Sequence, residues 1–299
     1  MLVSIIIPSY NHQHYIAQSI TSVLDQTWPE IDLIVVDDAS TDNSPSIIAE
    51  ILAKRGGFRF IHRQQNRGLI SSLNEGLAMA EGQYFCELAS DDFLPFDSIE
   101  NRARFFVDHQ DHVAIFADAF RVVGDTETCG CVLDDKRRFL FSQPDPLSLM
   151  LHGVRPIFAT GMFQTDTLRK VGGFDPQYQC YEDLEMPVLL WLEGKVGFMD
   201  KPVLCRREHA TNVSSTTSTI RTDKILCYEK LSRNPDLVSY ASIIRYQLRR
   251  SYLALGRHLS LNGGGNAYER RIFQNAWGYA LQDVRLLWHL IRWGKAKLT

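Results

Sequence analysis

A chain of 299 residues, 45% of them hydrophobic and 22% charged, is large enough for one sizeable α/β domain with an accessory segment and has the make-up of an ordinary soluble globular protein. No run of about 18 uninterrupted apolar residues is present to span a bilayer, and the six cysteines have neither CxxC spacing nor the density of a disulfide scaffold. The net charge of −3 hides an asymmetry: residues 221–299 hold 14 Lys and Arg against 5 Asp and Glu, which leaves 18 against 30 in residues 1–220. An acidic body of this kind argues against nucleic acid as the main partner, and the basic tail suits an anionic surface such as the inner leaflet of a membrane.

Residues 3–7 form a near-continuous apolar run that ends in Pro8-Ser9-Tyr10-Asn11, and residues 31–36 form a second that ends in Asp37-Asp38. Such runs, alternating with helix-length segments, predict a parallel sheet covered on both faces. Ile16, Ile20, Val23 and Leu24 recur at helical spacing, and residues 44–54 predict a second helix with Thr41 and Asp42 as caps. A strand is expected at 58–62, a helix at 69–80, and a strand at 84–88 that leads to Asp91-Asp92. Residues 113–123 predict a later strand pair, and the charged, Pro-bearing stretch 134–146 a mobile loop. Strands at 159–164 and 195–200 flank a helix that begins near Glu182 and includes Leu189, Leu190 and Trp191. After a Ser/Thr-rich link at 214–219, helices are expected at 243–259 and 268–293, separated by Gly263-Gly264-Gly265. The short apolar start, running directly into Pro8, does not read as a signal peptide, so the expected compartment is the cytoplasm.

Each acidic pair falls where a strand should stop, and open α/β sheets bind ligands in the crevice outside the carboxyl ends of their strands. Two such pairs delivered to one crevice repel each other unless a cation or the donors of a nucleotide lie between them. This pattern predicts a metal and nucleotide site.

The segments 4–11, 20–28 and 34–42, with Asn66-Arg67-Gly68, Ala80-Glu81-Gly82 and Ser90-Asp91-Asp92, together resemble the family 2 glycosyltransferases of the GT-A fold, and they occur in the family's order. Further on, Val171-Gly172-Gly173-Phe174-Asp175 and Tyr181-Glu182-Asp183 resemble the family's acceptor-side motif, and residues 206–214 its closing Arg/His/Asn/Ser segment. The resemblance covers about 1–215. It implies a Rossmann-like, mostly parallel α/β sheet flanked by helices, with a nucleotide-binding half at 1–110, an acceptor-binding half at 111–215 and a C-terminal helical extension at 216–299.

The resemblance also implies roles for individual residues. Pro8, Tyr10 and Asn11 line the base pocket, Asp38 accepts a hydrogen bond from the base, and Asn66, Arg67 and Gly68 meet ribose or phosphate oxygens. Asp91 and Asp92 stand at the family's acidic motif, with Asp92 as the direct ligand of a divalent cation, Mn²⁺ or Mg²⁺, and Asp91 at the ribose or a bound water. Ala89 departs from the pattern, since many members carry the first Asp of a DxD there. Asp183 is the expected catalytic base of an inverting single displacement, with Glu182 positioning it or touching the acceptor, and His209 a metal or phosphate ligand. The bland alternatives are helix caps for the acidic pairs and a first-turn dipole role for Glu182 and Asp183.

The expected activity is transfer of one sugar from a nucleotide sugar, a UDP-sugar, to a glycan or lipid-linked acceptor in cell-surface polysaccharide synthesis. The QxxRW-type motif of processive synthases is missing, because Trp191 follows Leu189-Leu190 without an Arg. A nucleotidyltransferase is the rival enzyme, weakened by the lack of an early Gly-rich loop followed by Arg and Lys; a non-catalytic nucleotide-sugar-binding protein is the rival of another class. Near the end, Trp277, Leu281, Val284, Leu287, Trp288 and Ile291 share a helical face edged by Arg and Lys, which suits either a peripheral membrane contact or packing against the domain or a second subunit.

Overall fold

The computed structural model describes residues 1–123, 127–179, 182–208, 217–261, 266–276, 285–286, 288–289 and 291. Its first half alternates strand and helix: β1 (Val3–Ser9), α1 (Ile16–Leu24), β2 (Ile31–Asp37), α2 (Ser44–Arg55), β3 (Phe58–His62), α3 (Leu69–Met79) and β4 (Tyr84–Glu87). The four strands are parallel, in the order β3-β2-β1-β4. β1 is buried along its whole length, as expected of a central strand with helices on both faces. Ile5 and Ile7 join one apolar cluster with Ile16, Ile20 and Ile48, while Ile6 joins a second with Ile70, Leu73 and Leu77. Gly82 allows the chain to approach β1 closely, since a Cβ there would lie 2.5 Å from the Ser4 nitrogen.

The second half extends the sheet with antiparallel pairings. After α4 (Ser98–Asp108) come β5 (His112–Val123), β6 (Glu127–Cys131), α5 (Asp135–Phe141), α6 (Pro146–Leu151), β7 (Met162–Gln164), α7 (Thr165–Lys170), α8 (Glu182–Glu193) and β8 (Lys195–Glu208). β7 is antiparallel to both β4 and β5, β6 is antiparallel to β5, and β8 runs parallel to β5.

Four expectations need correction. Residues 113–123 are not a strand pair but one long strand, bent by register shifts near Asp118. The stretch expected to be a mobile loop holds α5 and α6, whose caps Asp134 and Asp145 accept the N–H groups of Arg137 and Ser148. The strand expected at 159–164 is a 3₁₀ turn, Phe158–Thr160, followed by only three strand residues. The strand expected to stop at residue 200 continues through Pro202 to Glu208, because its second half pairs with the second half of β5.

The C-terminal helices α9 (Thr217–Leu231), α10 (Ala241–Leu261) and α11 (Ala267–Gln274) are built into the body of the protein. Ile225, Leu248, Tyr252 and Phe273 share one buried cluster with Ile6 and Phe85 of the sheet. Of the face expected near the end, Trp277, Leu281, Val284 and Leu287 lie outside the described residues. Trp288 and Ile291 are exposed, while Leu286 is buried. Among the described residues no helix is long and apolar enough to cross a membrane.

Candidate active site

The carboxyl ends of β1 and β2 are joined by a polar clasp. Asn11 and Ala39, each just past the end of its strand, adopt left-handed backbone (φ 56° and 62°), a conformation that costs a non-glycine residue energy and needs support. The Asn11 side-chain oxygen accepts the Thr41 N–H at 2.8 Å, and the Asn11 N–H donates to Ser40 Oγ at 2.9 Å. Asp37 in turn accepts the Ser40 N–H and hydroxyl at 2.9 and 2.6 Å. Pro8 is buried in β1, while Tyr10, just past its end, is 46% exposed.

Asp38 is buried and heavily engaged. Its Oδ1 accepts from Arg63 Nη1 at 2.8 Å and from the Arg67 N–H at 2.9 Å, and its Oδ2 accepts the Gly68 N–H at 2.7 Å. Arg63, equally buried, also pairs with Glu75. Asn66 accepts the Gly68 N–H at 3.1 Å, and Gly68 takes the left-handed conformation (φ 85°) that the turn requires. Asp38 thus shapes the Asn66-Arg67-Gly68 turn, with one lone-pair direction of its carboxylate left over for a ligand. The Arg67 side chain is exposed and makes no ion pair among the described residues.

The turn after β4 is locked to the end of β8. Phe93 and Cys205 exchange backbone hydrogen bonds at 3.2 and 2.8 Å, and the Arg207 N–H donates to Asp92 Oδ1 at 2.8 Å. The Arg207 guanidinium donates to the Asp91 carbonyl at 2.5 Å and to Gln18, and stacks 4.7 Å from the Phe93 ring centre and 5.2 Å from that of Tyr15. His12 Nδ1 lies 2.7 Å from Ser90 Oγ, which ties the β1 turn to the acidic turn. Burial, and then the charge of Asp91, push the Asp92 carboxyl up to about 7 against the opposing pull of the Arg207 amide and the Arg206 and Arg207 charges. Its own burial and the Asp92 charge lift the Cys205 thiol to about 11. The helix-cap alternative for Asp91 and Asp92 fails, because the next helix begins only at Ser98.

A divalent cation fits these residues. Asp92 Oδ2 accepts no hydrogen bond among the described residues, and a hard cation beside it would restore the ionised form that burial disfavours. No group of three His, Cys, Asp or Glu that could hold a metal occurs among the described residues, so remaining ligands would come from a bound diphosphate or from elsewhere. His209 and Tyr181 lie outside the described residues, as does the Glu182 side chain.

Asp183 sits in the first turn of α8, half-buried, where Arg155 Nη1 donates to its Oδ1 at 2.5 Å. Burial raises the Asp183 pKa, opposed by Arg155 and by the Arg206 charge. The Arg206 charge favours the ionised form of both Asp92 and Asp183. The Gly172-Gly173-Phe174 turn is fastened to α3: Asn74 accepts the Phe174 N–H at 2.9 Å and donates to its carbonyl at 2.7 Å. Arg63 and Arg155 were not singled out by sequence reasoning, whereas Arg206 and Arg207 open the closing segment 206–214 that it marked.

A parallel half in the order β3-β2-β1-β4 with an antiparallel extension through β7 and β5 is the GT-A class of α/β fold. Residues 4–128 match the model of glycosyl transferase family 2. An uncharacterized glycosyltransferase of Haemophilus influenzae is 39% identical over 114 residues, 38% of this chain and 45% of that protein. A putative teichuronic acid biosynthesis glycosyltransferase, TuaG of Bacillus subtilis, is 36% identical over 107 residues, 36% of this chain and 42% of that protein. The chain thus spans less than half the length of these relatives. Two solved structures share the fold: S. aureus TarS 1-349 in complex with UDP-GlcNAc, with a TM-score of 0.68 and 21% identity over 99% of this chain and 89% of that one, and the mannosyltransferase PcManGT of Pyrobaculum calidifontis in complex with GDP-Man and Mn²⁺, with a TM-score of 0.61 and 18% identity over 99% and 86%.

Proposed function

We propose that the protein is an inverting glycosyltransferase that moves one sugar from a UDP-sugar to a hydroxyl of a glycan or lipid-linked acceptor, in the building of a cell-surface polysaccharide. The observation that carries this reading is the acidic turn after β4, where buried Asp92 is held by the Arg207 N–H at the end of β8 with its second oxygen left over, and the Arg206 charge acts on both it and Asp183. The UDP-GlcNAc bound by TarS, the Mn²⁺ bound by PcManGT and the pathway in TuaG's name support the donor, the cation and the setting.

In this reading Pro8, Tyr10 and Asn11 receive the base, and Asp38 holds the Asn66-Arg67-Gly68 turn against ribose and phosphate while offering its remaining lone pair to the base. When bound by Asp92, with Asp91 at a water or the ribose and His209 as a further ligand, a divalent cation supplies positive charge to the diphosphate. Asp183 takes the proton of the acceptor hydroxyl as that oxygen bonds to the anomeric carbon. The bond from that carbon to the diphosphate oxygen breaks on the opposite face, UDP leaves with the electron pair, and the configuration inverts. Arg155 orients Asp183, and a raised pKa makes Asp183 a stronger base than an exposed aspartate. The basic tail is assigned to the cytoplasmic face of an anionic membrane, where a lipid-linked acceptor would be met.

A screen of nucleotide sugars for hydrolysis and for thermal stabilisation with Mn²⁺ or Mg²⁺ tests the reading. A ligand at a hundredfold excess over its Kd stabilises the native state by about 2.7 kcal/mol, so the true donor stands out. If no nucleotide sugar is hydrolysed or stabilises the protein, the reading fails.

A further inference from the structure

The segments that carry Asp183 and its partner Arg155 are both fastened to α9, a helix of the C-terminal extension. Asp223 and Lys230, about two turns apart, share one face of that helix. Asp223 Oδ2 accepts the Gln179 N–H at 2.8 Å, shortly before Asp183 in the chain. Lys230 Nζ donates to Asp175 Oδ2 at 2.7 Å and stands 2.8 Å from Glu185 Oε1. One ammonium thus bridges the Gly172-Gly173-Phe174-Asp175 turn and the first turn of α8. From another face of α9 the Tyr228 hydroxyl donates to the Leu151 carbonyl at 2.8 Å, at the end of α6 and just ahead of Arg155.

The start of α8 needs such support. Pro187 lies inside the helix and has no N–H to return to the Asp183 carbonyl, so the first turn lacks one of its own backbone ties. Asp175 and Glu185 are both buried, and two carboxylates brought together repel each other unless a cation stands between them. Burial raises the Glu185 pKa, and the Lys230 ammonium opposes the rise. The plain alternative is that Lys230 serves only as a cation in the last turn of α9, where it offsets the helix dipole. That role requires neither carboxylate, yet Lys230 reaches both. We propose that Lys230 is a positioning residue for the base: by clamping the Asp175 turn to the first turn of α8, it sets the direction in which Asp183 is presented. This rests on the transferase reading above, in which Asp183 takes the proton of the acceptor hydroxyl. It also gives the C-terminal extension a part in the chemistry as well as in the packing.

The test uses the full chain and two measurements: hydrolysis, with Mn²⁺, of UDP-GlcNAc or of whichever nucleotide sugar the screen above turns over fastest, and amide hydrogen exchange. K230Q should lower kcat roughly 10- to 100-fold, the cost of a misplacement on the order of 1 Å, while KM for the donor stays within about twofold. K230R, whose fork can still reach two carboxylates, should recover most of the rate. In the Asp183→Asn background K230Q should cost nothing further, because a residue that acts through Asp183 has no effect once the base is gone. Exchange in K230Q should quicken across residues 175–179 and 183–188, and not in the last turn of α9 alone. Near-normal kcat in K230Q, an equal loss in the Asp183→Asn background, or faster exchange confined to the last turn of α9 overturns the proposal. Should K230Q not fold, E185Q/K230Q removes the buried charge together with its partner and takes its place in each measurement. A wild-type chain that hydrolyses no nucleotide sugar counts instead against the transferase reading, and the exchange measurement still shows whether Lys230 holds the segment.

Discussion

The backbone N–H of Arg207 donates to Asp92 Oδ1 at 2.8 Å, so the end of β8 holds the acid presented by the turn after β4, 115 positions earlier in the chain. Asp92 is thereby aimed by one oxygen and available by the other. Asp92→Asn keeps the side-chain oxygen that accepts this amide while removing the charge. UDP affinity in the presence of Mn²⁺ should fall at least about tenfold, measured by calorimetry, and the response to chelator should vanish. Unfolding in urea should shift little or toward greater stability, since a buried carboxylate that resists ionisation is gone.

Asp183→Asn should leave UDP affinity intact and lower turnover by roughly 10² to 10⁴, the usual range for a positioned general base. Steady-state kinetics at saturating acceptor checks this. Near-normal turnover would move the base elsewhere, with Glu182 next in line.

The pH profile tests the environment of Asp183. The base works only when ionised, and burial raises its pKa, so kcat/KM should rise with pH through a midpoint above the ordinary aspartate range. Arg155 pulls in the opposite direction, favouring the ionised form. Arg155→Gln should therefore move the acidic limb to still higher pH, whereas a limb that stays in place would remove Arg155 from the base's environment.

Arg63 is buried between Asp38 and Glu75, and removing one partner of such a pair leaves a charge without compensation. Arg63→Met should cost roughly 3 to 5 kcal/mol in urea unfolding. At temperatures where the variant remains folded, weaker UDP binding should accompany the loss, because Asp38 then loses one of the three donors that orient the Asn66-Arg67-Gly68 turn.

Phe273 on α11 is fully buried in the cluster that reaches the sheet. Phe273→Ala should cost about 3 to 5 kcal/mol in the same assay, through lost burial and the cavity left behind. A change below about 1 kcal/mol would make the tail an independent appendage.

The strands and helices of the first half were legible because parallel strands buried on both faces read as unbroken apolar runs, and the acidic pairs marked where they stop. Residues 134–146 misled because their charges and prolines suggest a loop, although Asp134 and Asp145, each accepting an N–H three residues on, are helix-start signals. The second half of β8 was hidden by Pro202 and the polar run Arg206-Arg207-Glu208, which stays extended through pairing with β5. Local pattern could find the acids but not their partners. Arg63, Arg155 and Arg207 meet Asp38, Asp183 and Asp92 across 25, 28 and 115 positions, and such pairs depend on the folded topology.

The backbone exchange between Phe93 and Cys205 has a consequence for synthesis on the ribosome. The segment that carries the family's sequence signature ends at residue 128, yet the amide that aims Asp92 emerges 79 residues later. A nascent chain that has already laid down β1 to β4 displays both acids with no strand beside them to set their direction. If the proposed reading holds, competence to grip a nucleotide waits until β8 lies alongside β5, and a partly made chain has little means of sequestering the cell's nucleotide sugars.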